Sequence, residues 1–81
     1  MSTETLMLDW TDHLALGEAL YDLYPDDHPL KVRFTDLHAR IVALEDFGGA
    51  PGGSNEGLLE AIQMAWWAEY KLENPDADPY A

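Results

Sequence analysis

No cysteine occurs in the 81 residues, so neither a disulfide nor a thiolate metal site can hold the fold together. Basic residues are nearly as scarce: four Lys and Arg stand against sixteen Asp and Glu, for a formal net charge of −12. Nucleic-acid recognition needs Arg or Lys for phosphates and base edges, and that shortage removes its footing. Only two serines are present, neither in a strand-to-helix elbow, so no activated nucleophile is recognisable. No apolar run approaches the roughly 20 residues of a membrane span, and Met1-Ser2-Thr3-Glu4-Thr5 lacks the positive start of an export signal. The expected compartment is the cytoplasm.

What remains is a short, strongly acidic chain. At this length about 60–65% of the unfolded surface is buried on folding, so one efficient core is required. Self-repulsion at this charge opposes compaction and favours solubility, and it selects partners. Phosphate backbones and anionic lipids are repelled, while basic protein patches and multivalent cations are attracted. The same like charge predicts a monomer in isolation. Acidity can also serve solubility alone, and charge by itself does not separate the two uses.

Hydrophobic spacing predicts three main helices. Asp9-Trp10-Thr11-Asp12 opens the first, with Thr11 or Asp9 as its cap, and Leu16, Leu20, Leu23 and Tyr24 form its stripe. Gly17 in mid-helix costs about 1 kcal/mol relative to Ala, which suggests close approach of another backbone. Pro25 stops this helix near Tyr24. After a turn-rich connector over Asp26–Leu30, Val32 and Phe34 alternate with Lys31 and Arg33 as a short extended segment. Thr35 is placed to cap the second helix, whose stripe is Leu37, Ile41, Leu44 and Phe47 and whose stop is Gly48-Gly49. Gly48–Gly53 is then a flexible loop, and Ser54 or Asn55 caps a third helix with Glu56 in its first turn. Leu58, Leu59, Ile62, Ala65, Trp66 and Tyr70 give that helix its buried face. The domain division is a frayed terminus over 1–8, a helical domain over 9–72 and an acidic disordered tail over 73–81. The fold class is mainly α, a compact three-helix bundle with a short extended or one-turn segment between the first two main helices.

The side chains predict a protein that is not an enzyme. His38 and Asp36 lie two apart and point to different sides of a helix, so His38 is read as a surface or packing residue. Metal binding has more support: Glu18 and Asp22 are four apart on one face, and Asp26 and Asp27 follow just past the helix end. Asp12 stands ten residues from Asp22, about 15 Å along the axis, too far to share a coordination shell. Oxygen-only clusters suit hard cations such as Fe²⁺, Mn²⁺, Ca²⁺ and Mg²⁺, bound weakly and with little selectivity. A plain solvated acidic face is the competing reading.

Several segments, in order and at matching spacing from about Leu8 to Trp66, carry a resemblance. They are Gly17-Glu18-Ala19-Leu20-Tyr21-Asp22, Tyr24-Pro25-Asp26, Val32-Arg33-Phe34-Thr35-Asp36-Leu37-His38, Ser54-Asn55-Glu56 and Leu59-Glu60-Ala61-Ile62. This pattern resembles the IscX family, small acidic proteins of bacterial iron–sulfur cluster assembly. The resemblance implies a compact helical fold related to the winged-helix arrangement and weak, surface-bound Fe²⁺ with no tightly held cofactor. It also implies an acidic surface that docks on a basic patch of the cysteine desulfurase, in competition with the frataxin homologue. By position, the matching residues are Glu18, Asp22, Asp26, Arg33, Asp36, Glu45 and Asp46, and Asp12 adds to the field as a further partner contact. Two departures stand out. Gly48-Gly49-Ala50-Pro51-Gly52-Gly53 replaces the family's aspartate-rich turn, and His28 stands where a relative carries an acid. They weaken an iron site that leans on that turn and leave one built on the first helix.

Arg33 has two readings: an ion pair with Asp36 or a first-helix carboxylate, and a partner contact. Trp10 and Trp66 are core anchors by their faces. Trp67 cannot face the same way as Trp66, so it either covers the edge of the core or meets a partner. For the whole chain, the leading expectation is an accessory adaptor of cluster assembly. The alternative is a non-specific acidic cation-binding or protein-interaction module.

Overall fold

Gly17 marks a close backbone approach between two helices. A Cβ built there would lie 2.7 Å from the Trp66 backbone nitrogen and 2.8 Å from Ala65 Cβ. The computed structural model describes residues 7–75, and within them three α-helices follow in order: α1 (His13–Leu23), α2 (Phe34–Val42) and α3 (Glu56–Glu73). Two single 3₁₀ turns, Pro29–Lys31 and Pro51–Gly53, lie in the connections. Gly17 meets Ala65 and Trp66, and four residues on, Tyr21 meets Tyr70 edge-on at 6.3 Å between ring centroids. Equal steps in the same direction make α1 and α3 parallel neighbours. The missing side chain at position 17 lets their backbones close, as its mid-helix position predicts.

The core is one cluster built from all three helices and their flanks. Leu16, Leu20, Leu37, Ile41, Ile62 and Trp66 are fully buried, and Trp10, Leu44, Phe47 and Leu59 surround them. No charged side chain is buried among the described residues, so the acidic charge is carried on the surface. The Trp66 indole nitrogen is enclosed without a hydrogen-bond partner among the described residues.

Local signals fare unevenly. Asn55 caps α3 as predicted, its side-chain oxygen accepting from the Leu58 amide at 2.9 Å. Neither Thr11 nor Asp9 caps α1. Asp12 holds the cap position, but its carboxylate reaches back to accept from the Asp9 amide at 2.8 Å. Leu23 is exposed rather than part of the buried α1 stripe: in the last turn of the helix it lines a surface groove beside Asp22 instead of the core. Phe34 begins α2 instead of ending an extended segment, so only Val32 and Arg33 are extended, after a one-turn piece at Pro29–Lys31. Arg33 therefore occupies the cap position expected of Thr35, without a side-chain bond.

Helix α2 also stops earlier than Gly48-Gly49. Leu44 and Phe47 are buried, but they arrive through successive tight turns, Leu44 N–H to Ile41 O at 3.0 Å and Phe47 N–H to Leu44 O at 3.1 Å. Phe47 then bridges Leu8 in parallel register: the Leu8 amide donates to Asp46 O at 2.6 Å, and Gly48 N–H to Leu8 O at 2.7 Å. Leu8, expected in the frayed terminus, is thereby pinned to the body. The glycine-rich loop is tied as well. Trp10 Nε1 donates to Ala50 O at 2.7 Å, and His38 Nε2 donates to Pro51 O at 2.6 Å while its ring stacks on Trp10. Helix α3 carries through Glu73, the first residue of the expected disordered tail, and 76–81 lie outside the described residues, as do 1–6 of the frayed terminus.

Candidate functional site

Asp22 sits in the last turn of α1, where the partial negative charge of the helix end disfavours a carboxylate, and no basic residue offsets it there. Glu18, one turn earlier, shares its face, and both are exposed. Like charges at this spacing cost about 0.2–0.5 kcal/mol of helix stability. The end of α1 is thus acidic against its own local preference.

Asp26 is exposed in the turn beyond Pro25. Asp27 differs, because its carboxylate accepts from Arg40 Nη1 at 2.8 Å. The Arg40 guanidinium also lies 4.4 Å from the Tyr24 ring centre and 5.9 Å from that of Trp66. Arg40 therefore clasps the α1 exit to α2, and Asp27 is engaged. Among the described residues, no three His, Asp or Glu side chains gather into a group that could hold a metal ion. Glu18, Asp22, Asp26 and Asp27 are spread over the end of α1 rather than arranged as a ready-made shell.

The fold instead brings Asp22 to Glu45 and Asp46. The tight turns after α2 carry the latter two back beside the last turns of α1, across a groove of about 410 Å³. Leu8, Ala19, Leu23 and Leu44 line its apolar part, and the three carboxylates stand on it with no basic side chain among the lining residues. Its volume falls within the roughly 300–1,000 Å³ of ligand clefts. The early stop of α2 creates this geometry, since a continued helix would carry residues 45 and 46 onward along its axis.

The remaining candidates lie apart. Asp12 is exposed at the start of α1, and Asp36 is exposed in the first turn of α2, where the helix end favours it. Arg33 is exposed and forms no ion pair among the described residues. Its backbone is extended, φ −71° and ψ 153°, at the N-cap of α2. The ion pair expected at Arg33 belongs to Arg40 and Asp27. Trp67 covers the edge of the core: it is 5% exposed, packs 4.9 Å from the His28 ring and 6.1 Å from Tyr70, and lies under Lys71 Nζ. His38 is a packing residue, as predicted, with the loop tether added.

Sequence reasoning missed two features, the Arg40 clasp and the meeting of Asp22 with Glu45 and Asp46. Both join residues more than a dozen positions apart. The one local signal was Arg40 itself, a rare cation carried into the last turn of a helix.

A family model described as iron-sulphur cluster assembly matches residues 8–71, a span containing Leu8, α1, α2 and all three groove carboxylates. Over 64 residues the chain is 41% identical to the Pseudomonas aeruginosa protein named Uncharacterized protein PA3808, covering 79% of this chain and 97% of that one. A small helical body with its charge held on the surface, matched over this length, is a protein of an iron–sulphur cluster assembly family. Within that class the chain belongs to the IscX family.

Proposed function

We propose that this protein is an accessory adaptor and regulator of iron–sulphur cluster assembly that docks on the cysteine desulfurase through its acidic surface. It acts without catalysis of its own, in the cytoplasm, and competes with the frataxin homologue for a basic patch on that enzyme. The observation that supports this most is the convergence of exposed Asp22, Glu45 and Asp46, with Glu18 adjoining, in a chain of net charge −12. Such a face speeds encounter with a cationic surface through long-range attraction, which salt screens beyond about 8–10 Å. Titration with the cognate desulfurase at rising salt tests the reading: binding weakens steeply with ionic strength if it holds, and salt-indifferent binding overturns it. Ferrous iron binds the same acidic end weakly, through Glu18, Asp22 and Asp26, with Asp27 available only if it releases Arg40.

A second reading, a non-specific acidic cation-binding or interaction module, is favoured by the spread of those carboxylates and the lack of any three-ligand group among the described residues. Chemical-shift mapping with Fe²⁺ beside Mg²⁺ separates the two. Diffuse, identical shifts for both ions support the module, and iron-specific shifts at Glu18, Asp22 and Asp26 support a site.

A further inference from the structure

We infer that the groove between α1 and the turns after α2 is an anchor site for a basic peptide segment that presents an apolar side chain between lysines or arginines. This rests on the proposed docking reading and adds to it the chemistry of what is seated. A purely electrostatic face would need only carboxylates. Here Leu23 is 59% exposed at the end of α1, directly beside Asp22, although the helix could have carried a polar residue there at no cost to the core. Leu8 and Ala19 are half-buried, and with Leu23 they leave an apolar surface open between Asp22 on one wall and Glu45 and Asp46 on the other. An apolar side chain entering this space removes Leu23 and the exposed parts of Leu8 and Ala19 from water, while the three carboxylates meet cations on either side of it.

Charge complementarity decides the class of occupant. Among the described residues no basic side chain lines the groove, so an acidic or neutral segment would leave three carboxylates crowded and less hydrated. A second copy of this chain brings another −12 and has only four basic residues, of which Arg40 is already engaged with Asp27. The division of labour is also fixed by physics: the carboxylates set the rate of encounter, and burial of the apolar anchor sets how slowly the segment leaves.

The test uses the full chain and two synthetic peptides of equal length and charge, one alternating lysine with leucine and the other lysine with serine. The expected result is binding of the lysine–leucine peptide about tenfold tighter, the order expected for burying one leucine side chain. Its amide shifts should centre on Ala19, Leu23, Ala43 and Leu44, and Leu23→Ser should abolish the advantage while leaving the weaker lysine–serine binding unchanged. Leu23 lies outside the core, so that variant keeps its helical circular dichroism. Equal affinity for the two peptides, an advantage that survives Leu23→Ser, or shifts centred elsewhere would overturn the inference. So would self-association through the groove, seen as concentration-dependent broadening of the same amides without peptide. The desulfurase reading fails separately: if the chain seats the lysine–leucine peptide but does not bind the enzyme, the anchor site stands and its proposed partner does not.

Discussion

Trp66 and Gly17 meet backbone to backbone, at a spacing that leaves no room for even a methyl group. Replacing Gly17 by Ala removes a helix penalty of about 1 kcal/mol but forces α1 and α3 apart. Overpacking of this kind costs about 1–3 kcal/mol, and here the obstructing atoms are backbone, which cannot step aside. Gly17→Ala is therefore expected to lower the urea midpoint, and Gly17→Val to lower it further. A rise in the midpoint for Ala would mean that the two helices do not close as described.

Arg40 offers a second check. Its guanidinium bonds Asp27 and lies over Tyr24, so a lysine in its place keeps the charge but loses the planar stack. Arg40→Lys should cost about 1 kcal/mol, the upper end of what a cation–π contact contributes at a partly exposed site. Asp27→Asn should cost less, because a half-exposed ion pair contributes about 0–1 kcal/mol. A greater loss from Asp27→Asn than from Arg40→Lys in thermal unfolding would reverse this ranking.

His38 tethers the glycine-rich loop. For the carbonyl of Pro51 to accept, Nε2 must carry the hydrogen. His38→Phe preserves a ring to stack on Trp10 but removes that bond, at an expected cost of about 0.5–1.5 kcal/mol. The amides around Ala50 to Gly53 should then exchange faster with solvent, whereas those of α3 stay protected. Uniform acceleration across the chain would show that the tether governs global stability rather than the loop.

Glu18 and Asp22 predict opposite effects on stability and binding. The double change Glu18→Gln and Asp22→Asn relieves a like-charge pair, so the helix should gain about 0.2–0.5 kcal/mol. The same change should slow association with a cationic partner and flatten its salt dependence. Unaltered association kinetics would remove these two residues from the docking surface.

These expectations show where sequence was informative. Gly17, the Leu16–Leu20 stripe and the Asn55 cap were legible because each acts within a turn or two of the helix that it serves. Leu23 misled because helical spacing identifies a stripe without saying how far along it the core extends: seven residues from buried Leu16 and on nearly the same face, it lies at the helix end. Leu44 and Phe47 were correctly expected to be buried, but the same spacing assigned them to a helix, and tight turns can deliver the same side chains to the same core. The site was legible in part: Asp22, Glu45 and Asp46 were each candidates, while their meeting depends on that unexpected end of α2. Arg40 and Asp27 are joined only by tertiary structure, so local patterning pointed to Arg33 instead.

The parallel course of α1 and α3 has a consequence for approach to a partner. Their peptide dipoles add rather than cancel, and both negative poles lie toward the end that carries Asp22 and Asp26. The molecule is therefore polarised along its length as well as charged overall. In the field of a cationic surface it would turn that pole forward before contact, so orientation would be selected during diffusion rather than after collision.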